Sequence, residues 1–108
     1  MTLPAVVTDG KPHIITLCGS TKFKETFLAV AKELALRGWI VLMPGVFGHY
    51  DNIILTREQK ERLDALHKEK IDMSEAVYII NEDDYIGEST RNELKYARER
   101  KKDLFWLE

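Results

Sequence analysis

Disulfides, membrane spans and a cationic face are all missing from this sequence. Its one cysteine, Cys18, has no second thiol in the chain with which to form an internal disulfide. No apolar run approaches the roughly 20 residues that a membrane helix needs, so no membrane association is expected. The opening MTLPAVVTDGK carries neither the charged start nor the apolar core of a signal peptide, and a cytoplasmic location is expected. With 16 basic against 18 acidic residues the formal charge is -2, far from the cationic footprint that a nucleic acid backbone demands. Polymeric nucleic acid is therefore not an expected partner, and any nucleotide bound is a small one. Repeats and low-complexity blocks are absent as well.

What is there suits one domain. A chain of 108 residues that is 44% hydrophobic and 31% charged can build a single core, with little left for a second. The first strand begins near residue 13, which leaves residues 1–12 as an N-terminal extension and 13–108 as the domain.

Strand and helix patterns alternate through that domain. HIITLC at 13–18 is a short β-rich run closed by Gly-Ser. Residues 21–37 repeat Phe23, Phe27, Val30, Ala31 and Leu34 at helical spacing, and Gly38 stands where a left-handed C-cap belongs. WIVLMP at 39–44 is a second strand, residues 56–74 a second helix, AVYIIN at 76–81 a third strand, 90–101 a third helix and DLFWLE a closing strand. The alternation predicts an α/β fold of the small flavodoxin or Rossmann-like kind, three layers deep, with about four parallel strands in the order 2-1-3-4. Ligands bind such sheets beyond the carboxyl ends of the strands, at the switch between the first and third. Three loops are thereby selected: CGSTKF, PGVFGHYDN and NEDDYIGEST.

In the first loop Gly19 permits close backbone approach, Ser20 and Thr21 offer hydroxyls, and Lys22 adds a positive charge at a helix start that favours anions. A plain capped turn explains the same residues equally well. The Walker spacing and G-x-G-x-x-G are both missing, which argues against nucleoside triphosphatase and dinucleotide readings. On the second helix, Leu63, Leu66, Ile71 and Ser74 share one stripe, and His67 and Lys70 fall within it. Buried groups of that kind call for a carboxylate or a phosphate, although a satisfied core histidine and an outward-reaching lysine would look alike in sequence. Metal binding is not expected, because Cys18, His13, His49 and His67 show no ligand spacing. Thr90-x-x-Glu93 fits a capping box, so Glu93 reads either as a helix cap or as a reactive carboxylate in the first helical turn.

ITLCGSTKFKETFLAVAKELALRGWIVL, IDMSEAVYIIN and GESTRNELKYA, in that order, resemble landmarks of the nucleoside 2-deoxyribosyltransferase-like superfamily, which includes the 2'-deoxynucleoside 5'-monophosphate N-glycosidases. The resemblance covers residues 13–107 and is closest to small bacterial and phage members that carry GHxD, LHxxKID and YIGESTRxE signatures. It implies a homodimer without cofactor that binds a nucleoside or nucleoside 5'-monophosphate and acts at C1' through Glu93, as hydrolase or transferase. His67 is then the proton donor or orienting group, Asp51 and Tyr85 are reserves, and Ser20, Thr21, Lys22, Ser89 and Thr90 receive a phosphate. Lys70 and Arg91 are further cations for it, and Gly19 and Gly87 are counted with these as substrate-binding residues. The chain departs from the family at His67 and Thr16, which stand where an aspartate and a tyrosine are usual, and at Lys95, which replaces a glycine. Two other classes stay open: a non-catalytic nucleotide-sensing module that uses the same loops, and a structural domain in which Glu93 only caps its helix.

Overall fold

The computed structural model describes residues 2–108; Met1, the first residue of the expected extension, lies outside them. Four strands form one all-parallel sheet: β1 Ile14–Gly19, β2 Ile40–Leu42, β3 Ala76–Ile80 and β4 Asp103–Trp106. Their order is β2-β1-β3-β4, with Ile15 in register with Ala76 and Gly19 with Ile80. Three helices connect them, α1 Lys24–Leu36, α2 Arg57–Met73 and α3 Glu88–Glu99.

Alternation along the strands assigns each residue to a layer. Ile15 and Leu17 of β1, with Ala76, Tyr78 and Ile80 of β3, pack against Phe27, Val30 and Leu34 of α1. Cys18, Val77 and Ile79 point the other way, onto Ile71 of α2 and Leu94 and Ala97 of α3. Both central strands are covered on both faces, which is why they read as unbroken apolar runs. Thr16 is fully buried on the α2 side and shares hydrogen bonds with Ser74 Oγ at 2.6 Å and the Lys70 carbonyl at 3.1 Å, so it holds α2 to the sheet.

The helix starts differ from expectation in two places. Residues 21–23 form a 3-10 turn, and the α-helix begins only at Lys24. At α3 the Thr90–Glu93 capping box does not form: the helix starts two residues earlier, at Glu88 after Gly87, and Thr90 is an interior residue whose side chain is buried. The capping box of the molecule is at α2, where Thr56 Oγ1 accepts from the Gln59 amide at 3.1 Å and the Gln59 side chain accepts from the Thr56 amide at 3.0 Å. Gly38 takes φ +91°, the left-handed end anticipated for α1.

The segment before β1 is tied to the α1–β2 corner. The Val7 amide donates to the Arg37 carbonyl at 2.8 Å and Trp39 Nε1 to the Ala5 carbonyl at 3.1 Å. His13 bridges Glu75 at 2.6 Å and Asp9 at 2.8 Å, at the end of the sheet away from the selected loops. Among the described residues no helix is long and apolar enough to cross a membrane.

Candidate functional site

The loops after β1, β2 and β3 enclose a cleft of about 530 Å³ at the carboxyl edge of the sheet, over the β1–β3 switch point. Gly19, Ser20 and Thr21 border it from β1, and Tyr85 and Gly87 from the loop after β3. Ser89, Thr90 and Glu93 of α3 face His67 and Lys70 of α2 across it. A third wall is apolar: Val46, Ile53 and Leu55 of the long loop after β2 stand beside Leu63 and Leu66. Leu66, placed by periodicity on the core stripe, is in fact 44% exposed and belongs to this wall.

Three side chains converge at and just beneath the cleft floor: His67 and Glu93 line the cleft, and Cys18 is buried under them. Cys18 comes from the last turn-facing positions of β1, His67 from α2 and Glu93 from α3. His67 Nε2 lies 3.3 Å from Cys18 Sγ and 3.8 Å from Glu93 Oε1. Burial, assisted by the Lys70 charge, pushes His67 down to about 4. Burial also pushes Glu93 up to about 7, and the nearby Asp64 charge adds to the rise. Cys18 is fully buried, and its thiol is raised far above the usual range by the same desolvation.

These environments correct two expectations about roles. Glu93 lies in the second turn of α3, beyond the first-turn reach of the helix dipole, so desolvation outweighs the dipole and does not leave the carboxyl fully ionised at neutral pH. His67 is neutral at pH 7, which removes an imidazolium proton donor and leaves an orienting ring. Its Nε2 faces both Cys18 Sγ and Glu93 Oε1, which sets the ring beside the carboxyl group.

On the cleft lining, Lys70 Nζ donates to the Met43 carbonyl at 2.8 Å, and among the described residues no carboxylate lies within ion-pair distance of it. The first turn of α3 follows Gly87 without a side-chain cap, and Gly87, Glu88, Ser89 and Thr90 line the cleft, so this helix start is a place where an anion would be favoured. Thr21 Oγ1 is occupied, accepting from the His49 amide at 3.3 Å. Gly19 is required by packing: a Cβ there would come within 2.9 Å of both Ile80 Cβ and the Ile80 carbonyl oxygen.

Three of the expected binding residues lie off the cleft. Lys22 sets its ammonium 3.6 Å from the centre of the Tyr85 ring, where the π face holds it outside the lining. Asp51 pairs with Lys24 at 3.0 Å on the outer side of the β2–α2 loop. Arg91 is exposed and turns back toward the Ile86 carbonyl.

Asp64 and Cys18 were not singled out in the sequence as partners of Glu93. Asp64 lies one turn before His67 on the same face of α2, and it lines both the main cleft and a small side pocket of about 60 Å³ that also reaches Glu93. The 64-67-70 spacing could have signalled it. Cys18, His67 and Glu93 carry no common sequence spacing, because they are brought together by three separate elements. Compared with protein-family models and with curated proteins, the chain matches none.

Proposed function

We propose that the cleft binds a nucleoside or nucleoside 5'-monophosphate and that Glu93 breaks its N-glycosidic bond. The observation that carries this reading is the placement of one desolvated carboxyl group in a cleft whose lining offers both apolar side chains and polar groups. The apolar wall formed by Ile53, Leu63 and Leu66 suits the face of a base. The amides that open α3, with Ser20, Ser89 and Lys70, suit a phosphate. A sugar spanning the two would lie over Glu93.

Glu93 has no lysine or arginine at ion-pair distance among the described residues. Its ionised form is therefore short of a counter-charge, and the positive charge that develops at C1' as the bond to the base breaks would supply one. The bonding electrons leave with the base, which takes a proton from water, while a Glu93 oxygen attacks or shields C1'. Water then attacks C1' and restores the carboxylate; a second base in place of water gives transfer. His67 orients the carboxyl group.

The homodimer implied by the family resemblance is part of the proposal. It is supported by Ile54, 95% exposed on the cleft rim, where a second copy would cover apolar surface. A binding module without chemistry is the second reading, favoured by the partial protonation of Glu93 at neutral pH. Incubation with nucleosides and their monophosphates decides between them: free base appears if the first reading holds, whereas ligand-dependent thermal stabilisation without free base leaves the second.

A further inference from the structure

We propose that Cys18 Sγ, His67 Nε2 and one Glu93 carboxylate oxygen form a binding site for a zinc-class divalent ion, with a fourth position open to the cleft. The three donor atoms lie within 4.8 Å of one another. In a tetrahedral zinc site, bond lengths of about 2.0–2.3 Å place neighbouring ligand atoms about 3.3–3.5 Å apart. The sulfur–nitrogen edge is 3.3 Å, the nitrogen–oxygen edge is 3.8 Å and the sulfur–oxygen edge is no more than 4.8 Å, so an ion would have to draw the Glu93 carboxylate inward.

Everything around these atoms favours a metal over chance proximity. Each ligand stands on a different regular element, β1, α2 or α3, so the triangle is held by the fold and not by a mobile loop. The buried imidazole presents the same nitrogen, Nε2, to both the sulfur and the carboxylate, the arrangement that a shared ion requires. Cys18 and His67 are buried, whereas Glu93 and His67 reach the cleft, so an ion would be shielded beneath and open above. Three protein ligands with one free position is the pattern of a reactive or exchangeable zinc site, not of a closed structural one. The mixture of sulfur, nitrogen and oxygen suits zinc or cobalt and not calcium or magnesium, which take oxygen ligands.

Binding balances in charge. The thiol gives its proton to solvent, Glu93 is bound as carboxylate, and the two negative charges neutralise the dication. An ion so held would occupy the carboxylate to which we assign glycosidic cleavage, so occupancy and that reaction exclude each other. The site itself does not depend on the glycosidic reading.

Cobalt titration of the whole, chelator-stripped chain tests it. A thiolate-to-cobalt absorption band in the near ultraviolet is expected, displaced by added zinc, and calorimetry in buffers of different ionisation enthalpy should show at least one proton released per ion. Cys18→Ser should remove the band, and Glu93→Gln should keep it while weakening binding more than tenfold. His13 and His49 offer no thiolate, so adventitious surface binding gives no such band. A parent protein without the band, or a band that survives in Cys18→Ser, overturns the proposal. Should Cys18→Ser fail to fold, the parent decides alone: the band with proton release supports the site, and absence of either overturns it. Base release is read separately on the metal-free chain, so cleavage there with no cobalt band on titration sinks only the metal site, and the band with no cleavage by the metal-free chain sinks only the glycosidase.

Discussion

Glu93 Oε1 stands 3.8 Å from His67 Nε2, yet between about pH 4 and pH 7 the two meet as neutral groups and not as an ion pair. Distance alone would suggest a salt bridge. Burial moves the two groups in opposite directions, the acid up and the imidazole down, and each shift favours the uncharged form. The pair is thus free of fixed charge until a ligand, or an ion, brings some.

Replacement of Glu93 by glutamine separates reaction from folding. The amide has the same shape and no charge, and the helix loses no cap because Glu93 does not form one. Glu93→Gln is expected to keep stability within about 1 kcal/mol of the parent, as for an exchange of one hydrogen-bonding group for another. Base release from nucleosides should fall by about 100-fold or more, as when an electrostatic group is removed from a reacting centre. Urea denaturation and chromatographic detection of free base check both halves; unchanged release would remove Glu93 from the chemistry.

Lys70 should distinguish phosphorylated from unphosphorylated ligands. Its ammonium borders the cleft with only the Met43 carbonyl as partner, so an added phosphate would meet a charge not already spent. Lys70→Met is expected to weaken monophosphate binding about tenfold or more, equivalent to about 1.4 kcal/mol, and to leave nucleoside affinity within about twofold. Lys22→Ala, which removes a cation held on Tyr85 away from the lining, should change neither. Equal losses for nucleoside and monophosphate with Lys70→Met would place the phosphate elsewhere.

Gly19→Ala should destabilise the fold with no ligand present. The added methyl would press on Ile80 Cβ and the Ile80 carbonyl oxygen, both at 2.9 Å, and neither is the end of a flexible side chain. A loss of about 1–3 kcal/mol is expected for such overpacking, measurable as a lower urea midpoint. A variant as stable as the parent would return Gly19 to a purely ligand-facing role.

The His13 bridge gives stability a defined pH dependence. Hydrogen bonds donated to Asp9 and then to Glu75 raise the His13 pKa above its ordinary value near 6.5, so the folded state binds the proton more tightly than the unfolded chain. Its contribution is complete below about pH 6.5 and is lost as pH rises through the higher, folded value. Asp9 is shifted downward, by the Lys11 amide and then by His13, and its contribution is lost on acidification through that lowered value. The stability gap between the parent and His13→Gln should therefore be widest in the mildly acidic range and should close toward alkaline pH. Denaturation midpoints from pH 5 to pH 9 check this; a gap that widens with pH would contradict it.

Much of this architecture is legible in the chain because strands buried on both faces leave unmistakable apolar runs, as at Ile14–Gly19 and Ala76–Ile80. The expected order 2-1-3-4 is the order found. The start of α3 was misread because Thr90-x-x-Glu93 has the capping pattern, while Thr90, Leu94 and Ala97 in fact form its buried stripe. Glu93 lies beside that stripe, which is the signal that it faces inward. Lys22 and Asp51 carry suitable charges in suitable loops, and only tertiary placement reveals that Tyr85 and Lys24 already engage them. Cys18 could be assigned to the face of β1 opposite Leu17 from alternation alone, but the helices covering that face could not.

The close approach of Gly19 to Ile80 has a consequence for how the cleft would acquire new preferences. With the ends of β1 and β3 in van der Waals contact, the floor has no slack, and a larger side chain there costs the fold before it alters a ligand. The β2–α2 loop is different: Phe47 anchors it edge-on to Phe27 at 5.3 Å, while Ile53 and Ile54 further along stay exposed. Variation tolerated by selection would therefore accumulate on that outer wall. Descendants of this chain would diverge in what they recognise while keeping the same reactive floor.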